Sequence, residues 1–179
     1  MASTLMAEGF NINSGGFTLA QPLNCDDTPG SGDAWTKRCR AKAADAARGG
    51  KMATIEIQLF DQDANFTQFT AALTAQMHAL NQTWLTEDQP NFSLKDRATG
   101  QVNKLPTDCQ QALGNQDSLA VCEVLLTPRI LMITTVAPQV PSTQSVSASP
   151  DPNNQTKADV NHNIAFTGVV EGQLRPILP

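Results

Sequence analysis

Apolar residues follow two different spacings near the middle of the chain, and each spacing predicts a different element. Between Gln62 and Leu85 they recur every three or four residues, the period of a helix with one buried stripe. The stripe consists of Phe66, Phe69, Leu73, Met77, Leu80 and Trp84. Between Met52 and Phe60, apolar and polar residues alternate, as in a half-buried strand. We therefore predict a strand over about 52–60 and a long helix over about 62–85.

Another helix is predicted just before that strand, over about 34–48. Asp33 is a residue type favoured at helix N-caps, and Gly49 with Gly50 forms a typical helix stop. One face of this helix would carry the small and apolar residues Trp35, Cys39, Ala43, Ala46 and Ala47. Basic residues would cover much of the remaining surface.

Shorter apolar runs, separated by turn residues, predict further strands. At the N-terminus, alternating apolar residues flank Ser14-Gly15-Gly16, which predicts a hairpin with a tight turn. Two interior strands are expected at 119–126 and 130–136, either as a hairpin or as one long strand bent at Pro128. Two short strands are expected at 91–94 and 101–105, followed by one helical turn at 109–113.

The last quarter of the chain is different, because residues 138–163 are rich in Pro, Ser, Thr, Asn and Gln. Such a segment buries little apolar surface, and we predict a long polar loop or arm. A strand-like pattern then resumes over 164–170. The predicted organisation is an α+β domain over 1–137, the polar loop over 138–163, and a C-terminal strand and tail over 164–179. The strand would return to the same domain or join a neighbouring subunit. We expect a mainly antiparallel sheet with both helices packed on one face.

Positive charge is concentrated in one short stretch of an otherwise acidic protein. The stretch from Asp33 to Lys51 has six basic and two acidic residues, net +4, whereas the rest is net −9, which gives the overall −5. The basic residues are Lys37, Arg38, Arg40, Lys42, Arg48 and Lys51. A basic patch on an acidic body favours docking onto an acidic surface, including another copy of the same protein. The acidic total and the absence of tyrosine from the sequence argue against nucleic acid as the partner.

The four cysteines fall into two pairs, Cys25 with Cys39 and Cys109 with Cys122, separated by 14 and 13 positions. No CxxC motif occurs, which disfavours a zinc or thioredoxin-type interpretation. Two local disulfides are one interpretation, each worth about 3 kcal/mol in the chain-entropy model. Four reduced and buried thiols are the other.

No catalytic pattern stands out in the sequence. The two histidines, His78 and His162, are expected to be an ordinary helix residue and a solvated loop residue. Asp61, Asp63 and Asn65 match the start of a calcium loop, but Phe66 occupies the position that requires glycine. Helix capping explains these acids better. An enzyme that uses Glu56, Asp61 and Asp63 is the weakest hypothesis, and we expect no catalytic residues, cofactor, metal or identifiable small-molecule ligand.

Composition completes the functional hypothesis. Charged residues make up 16% of the chain, and Thr, Ser, Asn and Gln take their place, a balance that is commoner in virion and appendage proteins than in cytosolic enzymes. Neither a transmembrane segment nor a signal peptide is expected. We predict a non-enzymatic subunit of a large assembly, such as a virion or an extracellular appendage. It would dock other protein subunits, including copies of itself, through charge complementarity and an extended arm. The alternative is an exported binding or adhesion domain with two disulfides.

Overall fold

The computed structural model describes residues 9–79, 83–86, 93–95, 102–113, 119–138 and 152–177. The strands are β1 (Asn13–Ser14), β2 (Phe17–Asp26), β3 (Lys37–Asp45), β4 (Lys51–Leu59), β5 (Thr83–Thr86), β6 (Ser93–Lys95), β7 (Val102–Lys104), β8 (Thr107–Leu113), β9 (Leu119–Thr127) and β10 (Ile130–Val136). The helices are α1 (Phe66–Ala79) and α2 (Pro152–Leu174), and short 3-10 turns occupy Ala46–Arg48 and Arg175–Ile177.

A single antiparallel sheet dominates the molecule. Its strand order is β1-β2-β3-β4-β10-β9-β8-β5, and β6 pairs with β7 in a separate two-stranded sheet. The first tight turn uses Gly15 and Gly16, both with positive φ, where residues other than glycine are strained. The α+β class with a mainly antiparallel sheet is confirmed, as are β4, the β6–β7 pair and the β9–β10 hairpin.

The main hydrophobic core lies between one face of this sheet and α2. Alternate residues of β4 and β10, such as Ile55, Ile57 and Met132, are at most 1% exposed on this face. From α2, Phe166, Val170 and Leu174 are completely buried in the same cluster. The four-residue steps between the α2 residues place them on one side of the helix, so α2 covers the sheet along its length.

The opposite face of the sheet carries a much smaller cluster beneath α1. Trp35, Phe60 and Leu131 are buried there, and Phe66 and Phe69 of α1 are only half-buried against them. Since Leu131 alternates with Met132 along β10, the two helices contact opposite faces of the sheet. The expectation that helices over 34–48 and 62–85 pack together on one face is not confirmed, because α1 is the helix of the second range and the opposite face is covered by α2, which was not predicted.

The predicted helix over 34–48 is also wrong, because Lys37–Asp45 forms strand β3 and only Ala46–Arg48 is helical. β3 lies between β2 and β4 and pairs with both along its length. Its residues alternate between small buried side chains and exposed basic ones, a period of two that suits a strand. The good helix propensity of its alanines is outweighed by this position inside the sheet.

The predicted C-terminal strand over 164–170 is wrong as well, because these residues lie within α2. α2 begins at Pro152, and proline is favoured in the first turn of a helix because its missing N–H has no partner to lose there. Residues 152–163 of the predicted polar arm thus belong to a packed helix. Residues 139–151 of that arm lie outside the described residues.

Two smaller differences concern element type and length. The helical turn predicted at 109–113 is instead part of β8, which pairs with β9. The helix predicted over 62–85 is confirmed in its central part as α1, Phe66–Ala79, whereas Thr83–Thr86 forms β5 at the sheet edge.

Candidate docking face

Strand β3 places three basic residues on the sheet face that points away from α2. Cys39, Ala41 and Ala43 point into the core and are at most 3% exposed. Arg38, Arg40 and Lys42 alternate with them and therefore lie on the other face, where Arg40 and Lys42 are exposed. The alternation thus gathers three of the six predicted basic residues on one surface.

These three residues line an open groove of about 580 Å³ formed by β2, β3 and β4, and we call it the basic groove. β2 contributes Gln21, Asn24 and Asp26, and β4 contributes Thr54 and Glu56. The pairing of β2 with β3 shifts register twice, between Leu19 and Gln21 and between Gln21 and Asn24. Irregularities of this kind bend a strand and re-aim its side chains.

Two acids in the basic groove pair with two of the bases. Nε of Arg40 donates to Oε1 of Glu56 at 2.9 Å, and Nη2 of Arg38 lies 3.7 Å from Oδ2 of Asp26. Hydrogen bonds from the Thr28 side chain and backbone lower the pKa of Asp26, with a further contribution from the Arg38 charge. Lys42 makes no ion pair with any residue in the described part of the chain. The groove therefore carries an excess of positive charge.

Arg38 is held from a second side by an aromatic ring. Its guanidinium carbon lies 4.5 Å from the centroid of the Trp35 ring, a distance typical of a cation–π contact. Trp35 itself is 4% exposed. This contact orients Arg38 at the border between the basic groove and the surface beneath α1.

The other three predicted basic residues do not join this groove. Lys37 is half-buried and points to the opposite face of β3, and Lys51 is exposed at the start of β4. Arg48 is buried, and its Nη2 donates to Oδ1 of Asp159 on α2 at 2.8 Å. The six basic residues therefore do not form one surface, because their side chains point in different directions from β3 and from the turn that follows it.

Arg48 belongs to a buried polar belt, defined by Asp45, Arg48, Asp159 and His162, that ties α2 to the β3–β4 connection. Nε2 of His162 and Oδ2 of Asp45 lie 2.7 Å apart, and Asp45 is 1% exposed. His162 is thus a packed residue of α2, and the expectation of a solvated loop histidine is wrong. His162 and Asp45 are 117 positions apart, and no local sequence pattern indicates a partner that far away.

The four cysteines lie in directly opposed pairs. Cys25 faces Cys39 across β2 and β3, and Cys109 faces Cys122 across β8 and β9. Both pairs are joined as disulfides, with Cα atoms 4.0 and 4.1 Å apart. These are the pairings proposed from sequence spacing, and they link neighbouring strands at both ends of the sheet.

The acids considered for catalysis do not converge. Glu56 accepts hydrogen bonds from Arg40 and Gln58, and Asp63 lies 3.4 Å from Arg129 at an exposed site. Asp61 is exposed next to it in sequence. Within the described residues, no group of three or more His, Cys, Asp or Glu side chains is placed to hold a metal ion.

Comparison of the chain with protein-family models, curated proteins and solved structures found no match. Among the described helices, none is both long and apolar enough to cross a membrane.

Proposed function

We propose that this chain is a non-enzymatic structural subunit that docks an acidic surface of a second copy of itself through the basic groove. The observation that carries the proposal is the grouping of Arg38, Arg40 and Lys42 on one open sheet face. The assembly would be a virion or an extracellular appendage. The proposed arm contributes less than the sequence suggested, because residues 152–163 are occupied in α2.

The charges of the basic groove contribute little to the stability of the monomer. Exposed ion pairs such as Arg40–Glu56 contribute only about 0–1 kcal/mol to stability. Exchanging such a pair for a partner's carboxylates therefore costs the monomer little. Charges arranged this way speed up association and select partners of opposite sign.

A second copy offers the acidic surface that the groove requires. Outside Asp33–Lys51 the chain is net −9, and Asp61 and Asp63 are exposed beyond the end of β4. A groove on one copy that meets acids elsewhere on the next makes a head-to-tail contact, which generates rings or filaments. This geometry suits a subunit of a repetitive assembly.

The test compares two double charge reversals that change net charge equally. One variant carries Arg40→Glu and Lys42→Glu, and the control carries Lys51→Glu and Lys104→Glu at exposed sites outside the groove. Sedimentation velocity is measured at about 0.05 M and about 0.5 M salt, because screening shortens the reach of exposed charges between these limits.

We expect the wild-type protein and the control to exceed 19.1 kDa at low salt and to dissociate at high salt. The groove variant should remain a 19.1 kDa monomer at both. A wild-type protein that is monomeric at low salt, or a groove variant that associates as the control does, would refute the proposal.

A second candidate function, an exported binding or adhesion domain, is favoured by the two disulfides. Disulfides persist mainly in oxidising compartments. Intact mass without reductant, together with a monomeric size, distinguishes this candidate. A protein with four free thiols would remove it.

A further inference from the structure

A second cleft opens beneath α1 and has an apolar wall. The inner part of this cleft is separate from the basic groove. The volume of the cleft is about 530 Å³, within the range of small-molecule sites. The apolar wall consists of Trp35, Phe69, Leu73, Val121, Leu131 and Ile133. We call it the α1 cleft. A cleft with these walls would accept the hydrocarbon part of a ligand.

One acid, Glu123 of β9, lines this cleft and is only 4% exposed. Its Oε1 is buried and has no hydrogen-bond partner among the described residues. An unpaired carboxylate in an apolar site is costly, since the lost hydration is not replaced. Burial first, and then the neighbouring Asp108 charge, raise the pKa of Glu123 to about 8.

The other charged groups around the α1 cleft already have partners. Arg38 of β3 contacts Trp35 and Asp26, and Glu56 of β4 accepts from Arg40 and Gln58. Asp33, in the loop before β3, accepts from the Gly30 N–H, and Asp108 of β8 accepts from Gln110. The described side chains of α1, from Phe66 to Ala75, carry no charge. Among the described residues, no side chain around the cleft therefore supplies a donor to Oε1 of Glu123.

We propose that the α1 cleft binds a primary amine with an apolar chain or ring, whose ammonium group pairs with Glu123 and whose hydrocarbon part packs against Phe69, Leu73 and Ile133. An ammonium supplies both the positive charge and the donors that the carboxyl group lacks. This inference is independent of the proposed docking of a second copy.

Binding is coupled to the release of one proton. The neutral Glu123 carboxyl loses its proton to solvent as the ammonium ion pairs with the resulting carboxylate. Below about pH 8 the affinity should therefore rise by up to about tenfold per pH unit, and it should level off above that pH. The amine itself stays charged until about pH 10.

The experiment uses hexylamine as the probe and hexanol as its uncharged analogue, with calorimetry on the full chain at about pH 6 and about pH 8. Two variants carry the same chemical change in the same cleft. Glu123→Gln removes the unpaired acid and keeps its shape, whereas Glu56→Gln removes an acid that is already paired. A third, Ala72→Phe, fills the cleft from α1.

For the wild-type protein and Glu56→Gln we expect hexylamine to bind at least tenfold more tightly than hexanol at the higher pH. Glu123→Gln should bind both probes equally and lose the pH dependence, and Ala72→Phe should bind neither. The proposal is overturned if hexanol binds as tightly as hexylamine, if Glu123→Gln keeps the preference, or if the wild-type protein binds neither probe.

Discussion

The two faces of the sheet differ in how completely they are covered. On the α2 face, long apolar residues and the polar belt are both buried, and the belt charges Arg48 and Asp159 neutralise each other. On the α1 face, the covering helix is half-exposed and a cleft remains open beside the buried Glu123. The α2 face therefore supplies most of the stability, and the α1 face holds the surfaces that are available for binding.

Polar groups show the same contrast at the level of single residues. Arg48 and Arg40 both pair with a carboxylate at 2.8–2.9 Å, yet the first pair is buried and the second is exposed. A buried pair is costly to break because the remaining charge stays buried, whereas an exposed pair is replaced by water. The same chemistry thus has a structural role on one face and is free for recognition on the other.

The largest expected effect is a pH dependence that originates on the α1 face. Because the folded state raises the pKa of Glu123 to about 8, it holds a proton there that the unfolded chain has lost, and stability falls as pH rises from about 5 to about 8. The loss contributed by this group should be up to about 5 kcal/mol. Urea unfolding of wild type and Glu123→Gln at both pH values measures it.

Glu123→Gln should abolish most of that decline, whereas Glu56→Gln should retain it. An unchanged pH dependence in Glu123→Gln would show that the acid is paired or hydrated in solution.

Removing one phenylalanine from each face should reveal unequal cores. Phe166→Ala on the α2 face should destabilise by about 3–5 kcal/mol, because the ring is fully buried and leaves a cavity. Phe69→Ala on the α1 face should cost about 1–2 kcal/mol, since its ring is already half-exposed. Equal losses in chemical denaturation would contradict the inequality of the two faces.

The two arginine pairs provide a matched electrostatic test. Arg48→Ala should cost about 3–5 kcal/mol because the Asp159 carboxylate remains buried after the ion pair is removed. Arg40→Ala should change the free energy of unfolding by less than about 1 kcal/mol. Replacing both Arg48 and Asp159 with Met and Leu should recover much of the loss. Similar effects of the two single substitutions would show that Arg48 is solvated.

The disulfides should contribute nearly equally, since they close loops of similar length. Replacing both cysteines of one disulfide by serine should cost about 3 kcal/mol, whether the pair is Cys25–Cys39 or Cys109–Cys122. Thermal unfolding with and without reductant checks this. If reductant leaves the wild-type transition unchanged, the cysteines are not oxidised in solution.

The elements of the fold that could be predicted from the sequence are those encoded by a local pattern of residues. The alternation in β4 and the turn at Gly15-Gly16 are local patterns, and both predict the structure correctly. The stretch that became β3 has alanines and caps that suit a helix, and its placement between β2 and β4 decided otherwise. Phe166, Val170 and Leu174 do recur at four-residue steps, but the surrounding polar residues obscure the helical pattern of α2.

Interactions between side chains were likewise predictable only where the partners are close in sequence. The spacing of the cysteines was enough to propose their pairing, because partners on adjacent antiparallel strands are close in sequence. Arg48 and Asp159 are 111 positions apart, and nothing near either residue indicates the other. Glu123 stands in the apolar run of β9, but no site was predicted from it, because the residues that form the α1 cleft around it come from distant parts of the chain.

Amide hydrogen exchange tests the difference between the two faces most directly. If α2 closes the main core, its buried-face amides near Phe166 and Val170 should exchange only through global unfolding. Amides of α1 should exchange through local opening, with a free energy several kcal/mol smaller. Equal protection of the two helices, or faster exchange in α2 than in α1, would contradict the account.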